Sequence, residues 1–468
     1  MPECATPRHA CHSNHSHFNY SRYWHEHARK ADSTRPPRVY VYRLPPPYGD
    51  LDVARSSRED IFGSGKERVG NGWISDGAAS ASYYRISTGY AFAAMVQYRL
   101  HHSKVYRTFN PEEADLFLVP ILTKPKTSSQ LIKACAKLAA FGLDKLVKKL
   151  PYLTEATASR HVLLGSKEHT SFAWYNCTWF FNPSGLLARM IRIAYSSVQP
   201  AEFKVSDYAT EMRMFYDDSG LRFPNLRSVP FPSSVHMDGA SDASSDANTT
   251  AEQADAIANS LPWATHTRRK YRMLFIGGAD HGDVDVRKKL LHDCQALREP
   301  RCKSLQWSRA TGYSLLLAKR EADFCLEPAG DSPFRKSLAD SISLGCIPVL
   351  FHPMTDHANE WLWDDWKEAG RILVPRERYL RGEVDLHRLL ISSMPPPALA
   401  HMKHVLSSNA RKFTISFHDD PEDELHAILV GARRLAESLE RIHQPEREQR
   451  WRPYRTNAPH FPLPKMPS

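Results

Sequence analysis

The 468-residue chain lacks any apolar run of the roughly 18 residues that a membrane-spanning helix needs. Its first residues also lack the apolar core of a signal peptide. The net charge is +10, but the basic residues are spread out, and no nucleic-acid-binding module is recognisable. We therefore expect no visible membrane anchor, no signal peptide and no nucleic-acid partner. A moderate excess of positive charge favours an anionic ligand, such as a nucleotide or an acidic polysaccharide.

Composition is otherwise that of a globular protein, with 42% apolar and 24% charged residues. Residues 1–35 are polar and rich in His, which is typical of a disordered tail, with metal binding as the alternative. Residues 233–262 contain no Lys or Arg and are rich in Ser, Ala and Asp. We predict a disordered tail at 1–35, an N-terminal acceptor-side domain at 36–232, a flexible insertion at 233–262, a C-terminal domain with a closing helix at 263–443, and a loose tail at 444–468.

Strand-like and helix-like segments alternate along the chain, which indicates a parallel α/β sheet. The strand candidates lie at 39–42, 116–122, 160–165, 270–276, 322–328 and 347–351, and the helix candidates at 90–103, 129–150, 284–297 and 422–443. The eight Cys permit disulfides without proving them, and Cys294 and Cys302 are close enough in sequence to form a small loop.

The segment 324–351, "FCLEPAGDSPFRKSLADSISLGCIPVLF", predicts a strand, a loop, a helix and a second strand. Pro333 suits the first helical position, and Asp331 or Ser332 could cap that helix. Gly345 can adopt the left-handed conformation that ends a helix.

A helix start that follows a glycine-bearing loop is a general site for anions, and Arg335 would add a planar cation to it. Asp340 lies roughly 10 Å further along the helix axis and leans back toward its start, where it could accept hydrogen bonds from a ribose. The alternative is purely structural: Asp331 and Ser332 act only as caps, and Lys336 and Asp340 form a surface salt bridge.

The order of these positions resembles the exostosin-like family, glycosyltransferase family 47. The matching positions are Phe324-Cys325-Leu326, Pro328, Gly330-Asp331, Arg335, Asp340 and Gly345 to Val349. Further similar segments are "VYVYRLPPPY", "VYRTFNPEEADLFLVP", "RHVLLG" and "YRMLFIGG". Together they span about residues 38–430.

The resemblance implies a fold of the GT-B type, with two Rossmann-like domains facing a cleft. It implies inverting transfer from a UDP-sugar to a glycan or glycoprotein hydroxyl, without a cofactor or an essential metal. It also implies a Golgi membrane setting and allows an oligomer, homomeric or with another glycosyltransferase. Carried over residue by residue, the nucleotide-sugar site falls on Gly277, Gly278, Gly330, Asp331, Ser332, Arg335 and Asp340.

Inversion needs a base for the acceptor hydroxyl and a stabiliser for the leaving diphosphate. Arg335 is the expected stabiliser. His161 is the candidate base because it lies at a strand end, although a structural His is the alternative, and Asp115 is expected to cap a turn. The triplets at 50–52 and 283–285 have the Asp-x-Asp letters of a metal-dependent transferase, but neither directly follows an apolar strand. A non-catalytic glycan-binding or partner subunit on the same fold is the alternative function.

Overall fold

Two parallel β-sheets organise the chain, and each is built from a different half of the sequence. The computed structural model describes residues 35–45, 48, 56–62, 67–69, 72–74, 91–121, 128–166, 180, 185–195, 225–236, 261–264, 269–280, 282–306, 312–330, 333–363 and 365–442. The predicted tails at 1–35 and 444–468 lie outside these residues, apart from residue 35. Contacts gather residues 36–468 into one unit that contains both sheets. The domain boundaries at 232 and 263 stay a prediction.

The N-terminal sheet has six parallel strands in the order β4-β1-β5-β6-β7-β8. The strands of this half are β1 Val39–Val41, β2 Glu67–Val69, β3 Gly72–Ile74, β4 Arg107–Thr108, β5 Leu116–Val119, β6 His161–Leu164, β7 Ile191–Ala194 and β8 Leu226–Ser228. Strands β2 and β3 form a separate antiparallel pair. Every residue of β5, β6 and β7 is buried, which is typical of parallel strands that are covered on both faces.

Short and long helices accompany this sheet. They are α1 Arg58–Phe62, α2 Phe92–His102, α3 Ser128–Phe141 and α4 Leu143–Val147, with 3₁₀ turns at Pro111–Glu113, Ala158–Arg160 and Gly185–Arg189. The single helix predicted over 129–150 is divided at Gly142, whose φ of 84° no right-handed helix contains.

The C-terminal sheet has five parallel strands in the order β10-β9-β11-β12-β13. Its strands are β9 Tyr271–Ile276, β10 Cys302–Leu305, β11 Ala322–Glu327, β12 Ile347–Leu350 and β13 Ile372–Leu373. The helices are α5 Val284–Leu297, α6 Gly312–Arg320, α7 Lys336–Ser343, α8 Pro353–His357, α9 Glu360–Trp363, α10 Lys367–Gly370, α11 Arg376–Leu380, α12 Pro396–Asn409 and α13 Glu424–Ile442, with a π turn at Arg388–Ser392 and a 3₁₀ turn at Ala410–Phe413. The α/β class and the GT-B type, with two Rossmann-like sheets, are thus confirmed.

Two disulfides lie within this second half. One joins Cys294 to Cys302, the pair whose short spacing permitted a disulfide. The other joins Cys325 of β11 to Cys346, directly before β12, and was not predicted. It connects two neighbouring strands at the base of the loop that carries Arg335.

The last helix links the two halves. Helix α13 contacts β5 and β7 of the first sheet as well as α9 of the second half. Just before it, Asp423 is fully buried and accepts a hydrogen bond of 2.8 Å from Arg99 of α2. Among the described residues, no helix is long and apolar enough to cross a membrane.

Candidate functional site

The loop after β11 reaches helix α7 later than the sequence predicts. Helix α7 begins at Lys336, and Arg335 before it is still extended, with φ −131° and ψ 127°. The hydroxyl of Thr355 donates to the carbonyl of Pro333 at 2.7 Å. In a helix that started at Pro333, that carbonyl would bond the N–H of Ser337, so this tertiary contact favours the later start.

The end of α7 is as predicted. Gly345 has a φ of 68°, its N–H bonds the carbonyl of Ile342 at 3.0 Å, and the N–H of Cys346 bonds the carbonyl of Ser341 at 2.9 Å. These two bonds are a Schellman motif, which requires a residue with positive φ. The chain therefore turns directly from α7 into β12.

Arg335 presents an unpaired cation at the start of α7. Its side chain is half-buried, and its guanidinium lies against Gly330, where any side chain would collide with it. Within the described part of the chain, this guanidinium makes no hydrogen bond or ion pair, and no side chain caps the first turn of α7. An unpaired guanidinium beside an uncapped helix start is suited to an anion.

Asp340 is engaged by protein groups in this structure rather than open to a ribose. It is 8% exposed, and its Oδ1 accepts bonds from the Ser233 hydroxyl at 3.1 Å and the Ser234 N–H at 2.7 Å. Lys336 lies 3.0 Å from both carboxylate oxygens. The predicted Lys336–Asp340 pair therefore forms, but it holds the buried residues 233–236 in place. These four residues belong to the segment that was predicted to be a flexible insertion.

A buried ion pair holds α7 against β11, next to the site. The Lys319 ammonium of α6 lies 2.7 Å from Glu327 Oε1, at the end of β11, and both residues are less than 5% exposed. The hydroxyls of Ser337 and Ser341 on α7 also donate to Glu327, at 3.0 and 2.5 Å. Burial alone would raise the pKa of Glu327, but Lys319 and the two hydroxyls hold it below its usual value. This network fixes α7 against β11 and thereby fixes the position of Arg335.

The glycines after β9 lie close to the same loop. Arg287 of α5 donates to the carbonyl of Gly278 at 2.7 Å and to that of Ala329 at 3.3 Å, and it packs against Gly277. The structure therefore brings Gly277 and Gly278 near Gly330, as predicted for one site. The remaining predicted residues of this site, Asp331 and Ser332, lie outside the described residues.

Asp283, which belongs to one Asp-x-Asp triplet, caps α5 and forms a two-point ion pair with Arg376 at 2.7 and 2.8 Å. It is 1% exposed. This arrangement gives the carboxylate a structural partner on both oxygens. The other triplet, at 50–52, lies outside the described residues.

His161 lies away from this site. It is the first residue of β6, whereas ligands of such sheets bind at the carboxyl ends of strands. It is fully buried, its Nε2 shares a hydrogen bond of 2.8 Å with Tyr42, and its Nδ1 shares one of 2.8 Å with the carbonyl of Thr157. Burial lowers the pKa of His161 to about 4. Both ring nitrogens are thus occupied by protein groups, so its described contacts are those of a structural residue.

Asp115 likewise has a structural contact. Its carboxylate accepts the N–H of Arg38 at 2.7 Å, beside the turn at Pro111–Glu113. The side chain of Asn110 caps that turn, whereas this contact ties Asp115 to the residue before β1, which is a different role from the expected turn cap.

A small pocket lies between the two halves, next to Arg335. Its cavity volume is about 10 Å³, and its lining residues are Tyr195, Val229, Pro230, Phe231, Phe334, Arg335, Leu338, Thr355, Ala358 and Asn359. Tyr195 follows β7 and Phe231 follows β8, so the first sheet contributes its carboxyl edge. Neither a carboxylate nor a His is among these described lining residues. Of this set, sequence reasoning had singled out Arg335 as functional, because the others are far apart in the chain and follow no recognisable spacing.

Comparison with known proteins shows the family of this chain. The Exostosin GT47 domain matches residues 33–380. The probable xyloglucan galactosyltransferase GT17 of Arabidopsis thaliana is 23% identical over 367 residues, which cover 75% of this chain and 72% of that protein. The probable xyloglucan galactosyltransferase GT12 of the same plant is 30% identical over 129 residues, 26% of this chain and 25% of that protein.

The xyloglucan-specific galacturonosyltransferase 1 of Arabidopsis thaliana is 37% identical over 89 residues, 18% of this chain and 13% of that protein. The matches to GT12 and to this protein thus span a quarter or less of the relatives' length. Among solved structures, the pneumococcal O-GlcNAc transferase GtfA in complex with UDP and GlcNAc is a distant likeness, with a TM-score of 0.30, 12% identity, and coverage of 64% of this chain and 60% of that one.

The domain match covers most of the chain and includes the ordered motif from Phe324 to Val349. It also covers both parallel sheets and ends with the last residue of α11. The chain therefore belongs to the exostosin GT47 family of glycosyltransferases.

Proposed function

We propose that the protein transfers a sugar, with inversion, from a UDP-sugar to a hydroxyl of a polysaccharide acceptor. The observation that carries the proposal is the unpaired guanidinium of Arg335 against Gly330, at the uncapped start of α7. The family supports glycosyl transfer. The names of the relatives make UDP-galactose and UDP-galacturonate the first donors to examine, and xyloglucan the first acceptor.

Arg335 and the start of α7 would act on the leaving group. In an inverting transfer the bond between the sugar C1 and the β-phosphate oxygen breaks while the acceptor oxygen bonds C1 from the opposite face. Negative charge then grows on the departing UDP. A fixed guanidinium and the N–H groups of a helix start stabilise such charge without further rearrangement. The proposed mechanism therefore needs no metal cofactor.

The proposed setting is the lumen of the Golgi apparatus, in line with the family. The disulfide between Cys325 and Cys346 supports this setting, because stable disulfides form in oxidising compartments. A homomeric or mixed oligomer with another glycosyltransferase is part of the same proposal, as is the absence of a nucleic-acid partner.

Calorimetric titration of UDP into the purified protein tests the proposal. We expect Arg335→Ala to weaken UDP binding by about 1.5–3 kcal/mol, the range for a hydrogen bond to a charged group. Arg381→Ala is the matched control, since it removes the same charge from an exposed side chain. Unchanged UDP affinity in Arg335→Ala would refute the assignment of the donor site to Arg335.

Transfer itself is tested by supplying UDP-galactose or UDP-galacturonate together with xyloglucan oligosaccharides and measuring UDP release and the mass of the product. Binding of UDP without transfer or hydrolysis of any UDP-sugar would instead support the non-catalytic partner subunit.

A further inference from the structure

One arginine contacts both loops of the proposed donor site. Arg287, in the first turn of α5, is 7% exposed. Its Nε donates to the carbonyl of Gly278 at 2.7 Å, in the loop after β9, and its Nη1 donates to the carbonyl of Ala329 at 3.3 Å, in the loop after β11. A planar guanidinium holds two acceptors at once in a fixed geometry. Arg287 therefore ties the two loops together at the carboxyl edge of the second sheet.

These two bonds also set the direction of the neighbouring N–H groups. In a planar trans peptide the C=O and the N–H point in opposite directions. The carbonyl of Gly278 is directed at Arg287, so the N–H of Ala279, in the same peptide unit, points away from Arg287. The carbonyl of Ala329 sets the N–H of Gly330 in the same way. Arg287 thereby fixes the direction of one N–H group in each loop.

The loop after β9 has N–H groups that a ligand can use. Gly278 and Ala279 are partly exposed, and within the described part of the chain neither N–H makes a hydrogen bond. Backbone N–H groups that follow one another in a loop can bind an anion. Ligands of open α/β sheets also bind at this edge. The loop is therefore suited to a phosphate.

Gly330 connects Arg287 to Arg335. A Cβ on Gly282, whose φ is 75°, would lie 2.5 Å from the Cα of Gly330, so the two loops touch through their backbones. A Cβ on Gly330 would in turn collide with the guanidinium of Arg335. Arg287 holds Ala329, the residue directly before Gly330. The position of the loop against Arg335 therefore depends on the contact that Arg287 makes.

We propose that Arg287 is a positioning residue of the donor site, which holds the two loops so that the N–H groups of Gly278 and Ala279 bind the diphosphate together with Arg335. The inference rests on the proposed function, in which Arg335 stabilises the departing UDP. Arg287 is too buried to touch the ligand, and it acts through the carbonyls that it binds.

A second arginine makes the same type of contact at the opposite edge of the sheet. Arg269 lies just before β9, and its Nη1 donates to the carbonyls of Lys319, Arg320 and Ala322 at 3.2, 2.7 and 3.0 Å. Strands β9 and β11 are parallel and both begin here, so Arg269 lies at the amino edge, away from the proposed ligand. It is a matched control for the loss of an arginine that binds backbone carbonyls.

Calorimetric titration of UDP into Arg287→Lys and Arg269→Lys tests the inference. Lysine keeps the charge but lacks the planar fork that spans two carbonyls. We expect both variants to melt at a lower temperature than the wild type. Only Arg287→Lys should bind UDP more weakly, by about tenfold, as for one or two lost hydrogen bonds. Binding of uridine, which has no phosphate, should be unchanged in both variants when measured by ligand-observed NMR.

Hydrogen exchange in the wild-type protein tests the same contact without a substitution. UDP should slow the exchange of the peptide that contains Gly278 and Ala279, as detected by mass spectrometry, and uridine should not. Unaltered exchange of this peptide in a wild type that binds UDP would overturn the inference.

The outcomes separate this inference from the proposed function. A wild type that binds no UDP refutes the donor site itself. A wild type that binds UDP no better than Arg287→Lys refutes the inference alone. An equal loss of UDP affinity in Arg269→Lys also refutes it, because the loss would then follow stability rather than the position of the two loops.

Discussion

The guanidinium of Arg335 occupies the space beside Gly330 that the side chain of any other residue would fill. This contact explains why a residue without a side chain stands five positions before the cation. The glycine lets the loop pass close to the guanidinium, and the guanidinium is thereby aimed toward the pocket between the two halves. Gly330 and Arg335 act together, so a change at either residue should alter anion binding.

Gly330→Ala should weaken UDP binding about tenfold or more, because the added methyl group displaces the guanidinium that contributes a charged hydrogen bond. Stability should change by less than about 1 kcal/mol, since the obstructed group is the far end of a flexible side chain. Calorimetry of Gly330→Ala, Arg335→Ala and the double variant forms a mutant cycle. If the glycine acts through Arg335, the double variant binds UDP as Arg335→Ala does, and full additivity would contradict this.

Removing the Lys319 ammonium should lower the free energy of unfolding. Lys319→Met leaves the buried Glu327 without its cation, which typically costs about 3–5 kcal/mol. Urea unfolding measures this loss. Lys319→Met combined with Glu327→Leu should recover most of the stability, because no unpaired charge remains. Arg381→Met breaks an exposed ion pair and is the control. If Lys319→Met is as stable as this control, the network does not have this role.

His161→Ala should lower stability by about 2–4 kcal/mol, as truncation of a large buried side chain does. Tyr42→Phe removes the hydroxyl that His161 bonds but keeps the ring, and should cost about 1 kcal/mol. Urea unfolding gives both values, and kcat per folded molecule tests the role of base. We expect kcat of His161→Ala to stay close to the wild-type value. A large fall in kcat without a loss of stability would restore His161 as the catalytic base.

Stability should depend on pH through Glu424. This carboxyl is fully buried beside Asp423, and among described residues neither oxygen has a hydrogen-bond partner. Burial, with Asp423 adding to it, raises the pKa of Glu424 well above its usual value. The folded protein therefore holds this proton more tightly than the unfolded chain. Its stability falls as pH rises above about 4.3, the ordinary pKa of Glu, toward the raised value.

Glu424→Gln keeps the shape of the side chain without the ionisation. The gain in unfolding free energy over wild type should be larger at pH 8 than at pH 5, as measured by urea unfolding at both values. Exposed Glu112→Gln is the control and should show no such difference. An equal effect of Glu424→Gln at both pH values would mean that Glu424 does not titrate differently in the fold.

The sequence predicted the strands and helices that have strong apolar patterns. The buried runs of β5, β6, β9 and β11 and the 14-residue helix α5 all appear where expected. It placed the start of α7 three residues too early, since the pattern "GDSP" cannot show that Thr355, 22 residues later in the chain, bonds the carbonyl of Pro333.

Candidate-site residues also differ in whether a local pattern or a long-range contact fixes their role. Arg335 was predictable because its motif is local: a glycine loop, a cation and a helix start follow one another within a few residues. Asp340 was read as open to a ribose because its bonds to Ser233 and Ser234 join positions more than 100 residues apart in the chain. His161 was read as facing a cleft because it lies at a strand end, but it begins β6, and its bonds to Tyr42 and Thr157 appear only in the folded structure.

The sequence by itself determined the family, the alternation of strands and helices, and the local unit that presents Arg335 at a helix start, because each depends on residues that are close in the chain. The tertiary structure alone decided what that cation faces. Only the approach of β8 to the segment after α8 places Asn359 and Phe231 in the pocket beside Arg335. Long-range hydrogen bonds and packing fix those positions, and no spacing in the sequence records them.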